Sequence, residues 1–242
     1  MLIAHCGITF ENFDFLEDEN DFFMPKNEVV EAIESALLFY FTKRDRKFQN
    51  FLKRSIFGIK KKSDLKELAK VMREELFRRY EIEIDAPKKI YLEKDNIERV
   101  EVRRFEYDKG DFSASFSAKI YKGVIKDIKI TSKYLDQEKI KLAFLGYSQA
   151  LANYEHKRLK GSILEKYIAN LQNTIANEWE SALRVGAWTK SPSKGDLLFF
   201  WRIKEVREYL LREFGFDILP RDTFFVPKYK EFLGWCEWSC SN

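Results

Sequence analysis

Between Glu81 and Thr131 the spacing of apolar residues falls to a period of two, and this change constrains the fold more than any other feature. The runs EIEI, KKIYLEK, RVEVRRFEY, FSASFSAKI and VIKDIKIT are rich in β-branched and aromatic residues, with breaks at Pro87, Lys109-Gly110 and Lys122-Gly123. Alternation of this kind buries one face of a strand and wets the other, so the block predicts an antiparallel sheet of short strands. Both flanks return to helical spacing. From Pro25, a residue suited to a first helical turn, Val29, Ile33, Ala36, Leu37 and Tyr40 recur at three and four, and the long helix is expected to run on into the basic stretch that follows. Ser63 reads as the cap of a second helix with the stripe Leu65, Leu68, Met72 and Leu76.

Downstream, 136–160 and 162–182 are two more helical patterns, punctuated at Gly161 and Ser162. The tail predicts a loop over Thr189 to Gly195, an apolar run LLFFW, a helix from Lys204 to Phe214 and short strands around Phe224 and Leu233. The N-terminus predicts one strand, Leu2 to Phe10, then a solvated acidic loop through Glu11, Asp14, Glu17, Asp18, Glu19 and Asp21. Strand, helices, sheet, helices and a mixed tail make an α+β class. The chain reads as one domain over 1–242, with 1–135 and 136–242 as the alternative division.

Composition narrows the function classes. Hydrophobic residues at 45% and aromatics at 16% exclude disorder by low hydrophobicity. Charged residues reach 34%, mostly Lys and Glu, the bias reported for hyperthermophile proteins. A net charge of +4 permits an anionic partner without demanding one. No stretch approaches the roughly 20 apolar residues of a membrane helix, and MLIAHCGITF lacks the features of a signal peptide, so a cytoplasmic setting without a membrane partner is expected. Cys6, Cys236 and Cys240 form no CxxC, and His5 and His156 are far apart, which predicts neither a disulfide framework nor a metal site.

The densest basic stretch is TKRDRKFQNFLKRSIFGIKKK, which offers Lys43, Arg44, Lys47, Lys53, Arg54 and Lys60 as RNA-binding candidates, with Phe48, Phe51 and Phe57 among them. Cations neutralise phosphates and aromatic faces stack bases, but a helix with phenylalanines inward and lysines outward has the same composition. The loop LRVGAWTKSPSKGD adds Arg184, Gly186, Lys190 and Lys194, where backbone amides and cations approach a phosphate backbone together. No HExxH, GxSxG, GxGxxG or Walker motif is present, so no catalytic residue and no cofactor are expected; His5 or His156 is the fallback general base.

Three segments in order resemble the RAMP (repeat-associated mysterious protein) subunits of type III CRISPR effector complexes, most closely the subunit at the crRNA 3′ end of the Csm complex. FFMPKNEVVEAIESALLFYF at 22–41 looks like the family's proline-led helix, with Pro25, Ala32, Ile33, Ala36, Leu37 and Leu38 fitting; SALRVGAW and TKSPSKG look like its glycine-containing LRxG turn and downstream basic residue; LPRDTFFV followed by FLGWCEW is similar to its ending, with Leu233, Gly234 and Trp235 matching. Lys26, Val30, Glu31 and Glu34 stand where that family usually has Gly, Lys, Gly and Arg. The resemblance implies a ferredoxin-like (RRM-like) core with helical insertions and a non-catalytic subunit whose partners are crRNA and other subunits of the complex. The rival readings are a crRNA-processing endoribonuclease of the related RAMP group, whose usual GxG loop this tail lacks, and a protein-binding scaffold that has lost RNA contacts at Val30 and Glu34.

Overall fold

The computed structural model describes residues 2–14, 16–18, 21–185, 197–215 and 220–241. In chain order they form β1 (Leu2–Asp14), β2 (Leu16–Asp18), β3 (Asp21–Pro25), α1 (Lys26–Arg44), α2 (Arg46–Ile56), α3 (Lys62–Tyr80), β4 (Glu83–Asp85), β5 (Lys89–Tyr91), β6 (Ile97–Glu106), β7 (Asp111–Ser132), α4 (Gln137–Leu159), α5 (Glu165–Asn177), β8 (Ala182–Arg184), α6 (Lys204–Phe214), β9 (Asp222–Val226), β10 (Glu231–Phe232) and β11 (Trp235–Ser241). Short 3₁₀ turns span Lys94–Asn96 and Leu198–Arg202. The chain is α+β, as its block-wise periodicity predicts.

The main sheet has the order β10-β9-β6-β7-β1-β11-β8, with β4 pairing β7 off this path, and a second sheet has the order β2-β3-β5. Every pairing among the described residues is antiparallel. Two expectations change here. The acidic stretch is extended over its described residues, because β1 continues past Phe10 to pair Phe13 with Tyr121 and Asp14 with Ile120, and β2 and β3 pair with each other. Backbone partners across the sheet override the low strand propensity of the acids. The expected break at Lys122-Gly123 is also absent. β7 is a single strand through it, and Gly123 is needed there because a Cβ would lie 2.4 Å from the Tyr121 hydroxyl oxygen. The turn at Lys109-Gly110 does form, with Gly110 at φ +66 joining β6 to β7.

Val29, Ile33, Ala36, Leu37 and Tyr40 of α1 are buried, as the stripe requires. The helix does not continue through the basic stretch, because Asp45 is extended (φ −99, ψ 108) and starts α2 instead. Its Oδ1 accepts from the amides of Lys47 at 2.8 Å and Phe48 at 3.1 Å. Its Oδ2 accepts from Arg79 Nη1 at 3.1 Å and the Tyr80 hydroxyl at 2.9 Å, which ties this joint to the end of α3. α3 begins at Lys62 with Lys61 as its cap and no side-chain cap bond, while Ser63 bonds to neighbouring Asp64.

α1 and α4 pack on each other, and α4 packs on β8. Phe144 of α4 meets Trp238 of β11 edge-on, with centroids 5.0 Å apart. One buried apolar cluster runs from Met24 to Trp238 and draws residues from both sides of position 135. A smaller cluster, Val100, Val102, Ala118, Ile120, Val226 and Leu233, is separate from it. Leu233-Gly234 carries the chain from β10, one end of the strand order, to β11 beside the other end. There the Val185 amide donates to Gly234 O at 2.7 Å and the Leu233 amide to Phe224 O at 2.9 Å. Gly234 has φ +86, and a Cβ on it would lie 2.4 Å from Val185 O, so a side chain is excluded twice over.

Candidate nucleic-acid interface

The helical repeat of α2 divides its residues cleanly. Phe48, Leu52 and Ile56 are buried, whereas Arg46, Lys47, Asn50 and Arg54 are exposed on the opposite arc. Lys43 and Arg44, in the last turn of α1, are exposed beside it, and Gln49 Nε2 donates to Lys43 O at 2.7 Å across the joint. Among the described residues none of Lys43, Arg44, Arg46, Lys47 or Arg54 forms an ion pair. Arg44 lies over the Tyr40 ring, 4.0 Å from its centroid. Asp45, the one acid in the segment, is turned inward. Burial raises its pKa, yet the Phe48 amide, the Tyr80 hydroxyl and Arg79 outweigh that and hold it below the usual carboxylate range.

Two of the sequence candidates are already engaged. Lys53 pairs with Glu205 at 2.7 Å and Lys60 with Glu213 at 3.5 Å, both acids belonging to α6. The phenylalanines do not form a stacking surface. Phe48 is buried, Phe51 packs on the core, and Phe57, though 49% exposed, meets Tyr209 edge-on at 5.3 Å. The helix therefore presents cations without bases' aromatic partners, which is the amphipathic arrangement weighed above. A cation that the sequence reading missed adjoins this face: Arg202, whose guanidinium carbon is 4.1 Å from the Phe39 ring centroid. Burial, and then the charge of Arg44, hold its pKa below the usual value. Nothing in the linear sequence connects positions 44 and 202.

Arg184 requires a correction. It is not offered to a phosphate backbone; it is 1% exposed, in β8. Its Nη1 donates to Glu155 Oε1 of α4, its Nη2 to Thr223 Oγ1 of β9 at 2.9 Å, and its Nε to Leu233 O at 3.3 Å. The guanidinium carbon lies 5.7 Å from the Trp235 ring centroid. Tyr107 donates to the same Glu155 oxygen at 3.1 Å, and burial, followed by the Glu155 charge, pushes its phenol well above the usual value, so it stays a proton donor. The residue type fits anion binding, but its anion is an internal carboxylate. Gly186, Lys190 and Lys194 lie outside the described residues.

His156 Nε2 is 3.9 Å from Glu165 Oε1, beyond hydrogen-bond distance. Cys236 is buried, with its thiol donating to Leu183 O at 3.3 Å, and it lies four positions from Cys240 along β11. No described helix is long and apolar enough to cross a membrane.

No family model matches the chain. Over 244 residues, covering 98% of this chain and 97% of the other, it is 31% identical to a protein of Aquifex aeolicus (strain VF5) described as uncharacterized.

Proposed function

The chain belongs to one family with this Aquifex aeolicus protein, and for it we propose the role of a non-catalytic, RNA-binding subunit of an RNA-guided assembly of the type III CRISPR kind. Its partners in this reading are crRNA and neighbouring subunits. The observation that carries RNA binding is the cationic face of Lys43, Arg44, Arg46, Lys47 and Arg54, which no described carboxylate neutralises. Uncompensated cations on one helical face bind polyphosphate through counterion release, without sequence preference.

Two further observations support the RAMP-type reading. The strands β6-β7-β1-β11 are adjacent in that order, with α1 between β1 and β6 in the chain and α4 between β7 and β11. This order supports a ferredoxin-like βαββαβ core, with the remaining helices as insertions. Arg184 and Val185 of the LRVG segment also meet the LGW segment in space, since Trp235 pairs with Arg184 in register and Val185 bonds to Gly234.

Changing Lys43, Lys47 and Arg54 together to Ala is expected to weaken binding of single-stranded RNA equally for unrelated sequences. Each lost contact flattens the salt dependence by about 0.7 in log–log slope. The fold should survive, because unpaired exposed charges add little stability. Unchanged affinity and slope in a folded variant would remove this face from the interface. Labelled RNA is expected to remain intact; cleavage abolished by His5→Ala or His156→Ala would replace this reading with the endoribonuclease, and absence of RNA binding in the native complex would replace it with the scaffold.

A further inference from the structure

α4, the 3₁₀ turn at Leu198–Arg202 and the start of α6 border a groove of about 590 Å³ whose lining holds Lys157, Arg158, Arg202 and Arg207, with Tyr154 and Trp201, and no Asp or Glu among the described residues. Arg158 is paired with Asp108 and lies over the Tyr107 ring at 5.6 Å. The other three cations have no ion-pair partner among the described residues. Arg202 Nε is buried without a hydrogen-bond partner. The Tyr154 hydroxyl donates to Pro220 O at 2.7 Å, and burial pushes its pKa up to about 12, so it brings no negative charge to the groove.

Three unpaired cations around one concavity repel each other, and low-dielectric walls strengthen that repulsion until an anion enters. Trp201, half-buried at the rim of the same space, adds a flat aromatic surface. Cations beside an aromatic ring suit a phosphate joined to a base, and the volume falls in the range of about 300 to 1,000 Å³ that holds small ligands. An acidic peptide would satisfy the cations but leave Trp201 without a planar partner. We propose that this groove is a nucleotide-binding site, with the phosphate on Lys157, Arg202 and Arg207 and the base against Trp201. Its source is either a free mononucleotide or one nucleotide of an RNA strand; the second source rests on the RNA-binding reading above, and the charge of Arg44 is felt at Arg202, so the groove is near that face.

Full-length protein is titrated with AMP, with UMP and with a short single-stranded RNA while tryptophan fluorescence is followed. The Lys157→Ala/Arg207→Ala variant is expected to lose at least about tenfold in affinity for whichever probe binds. Trp201→Leu is expected to lose the fluorescence change; if that variant does not fold, the double variant at the groove rim decides alone. Mononucleotide binding identifies the free ligand as source, and groove-dependent binding of RNA alone identifies the strand; both support the site. The Lys43/Lys47/Arg54 triple variant should leave mononucleotide affinity unchanged, so failure of the α2 face and failure of the groove are read separately. Wild-type affinity for every probe in a folded double variant overturns the proposal, as does failure of every probe to bind. Displacement of bound RNA from the groove by polyglutamate at equal charge concentration also overturns it, in favour of an acidic protein partner.

Discussion

At the scale of single residues, environment decides what a charge does. Glu34 lies in α1, where Arg73 Nε approaches it at 3.7 Å with both side chains mostly buried. Burial dominates and raises its pKa from 4.5 to about 7, with Arg73 opposing and Glu31 and Glu74 assisting. A carboxyl whose folded pKa exceeds its unfolded value stabilises the fold fully below the unfolded value and loses that contribution as pH rises through about 7. Glu34→Gln is therefore expected to gain about 2 to 3 kcal/mol over wild type at about pH 8 and little at about pH 5, checked by urea unfolding at both pH values. An equal difference at both would sink the assignment. The same lesson explains Arg184. Its residue type and glycine neighbours were legible as anion-binding chemistry, but burial beside Glu155 is set by a residue 29 positions away.

At the scale of elements, α2 exists as a separate helix because of Asp45. The carboxylate caps the new helix and holds Arg79 and Tyr80, so Asp45→Ala loses a cap and leaves two partners with a weakened bond. A loss of about 1 to 3 kcal/mol is expected, measured as a lower urea midpoint with unchanged slope. Since the folded pKa of Asp45 is depressed, its stabilisation is present above the unfolded value and falls away as pH drops through the folded one, so the gap between wild type and variant should close in acid. A gap that persists at low pH would mean the loss is packing, not the charge. Helix existence was legible here, since the stripes of α1, α3, α4 and α5 are local. The ends were not, because Asp45 reads as one acid within a basic helix until Arg79 and Tyr80 are brought to it. The long β7 was hidden for a similar reason: Gly123 looks like a break, and only its pairing with Phe10 of β1 shows that it is a strand residue making room for Tyr121.

At the scale of the molecule, the Arg184–Glu155 pair joins α4 to distant strands of the main sheet, through β8 at one end and Thr223 of β9 next to the other. Both ions are fully buried, so removing one partner strands the other. Glu155→Leu and Arg184→Met are each expected to destabilise by about 3 to 5 kcal/mol, and the double variant by less than either, in a double-mutant cycle by urea unfolding. Additive losses would show that the two charges are not coupled. Whatever depends on the spacing of neighbours along the chain was determined by the sequence itself: the α+β class, the helices with one apolar stripe, the hairpin turn at Gly110 and the concentration of cations from Lys43 to Arg54. Helical and extended periods are local, and a few residues suffice to declare them. Only the tertiary structure decided the strand order, the burial of Arg184, the capture of Lys53 and Lys60 by α6, and the meeting of Lys157 with Arg202 and Arg207. Those outcomes depend on which distant segments share one core, and the packing that chooses them leaves no periodic trace in the chain.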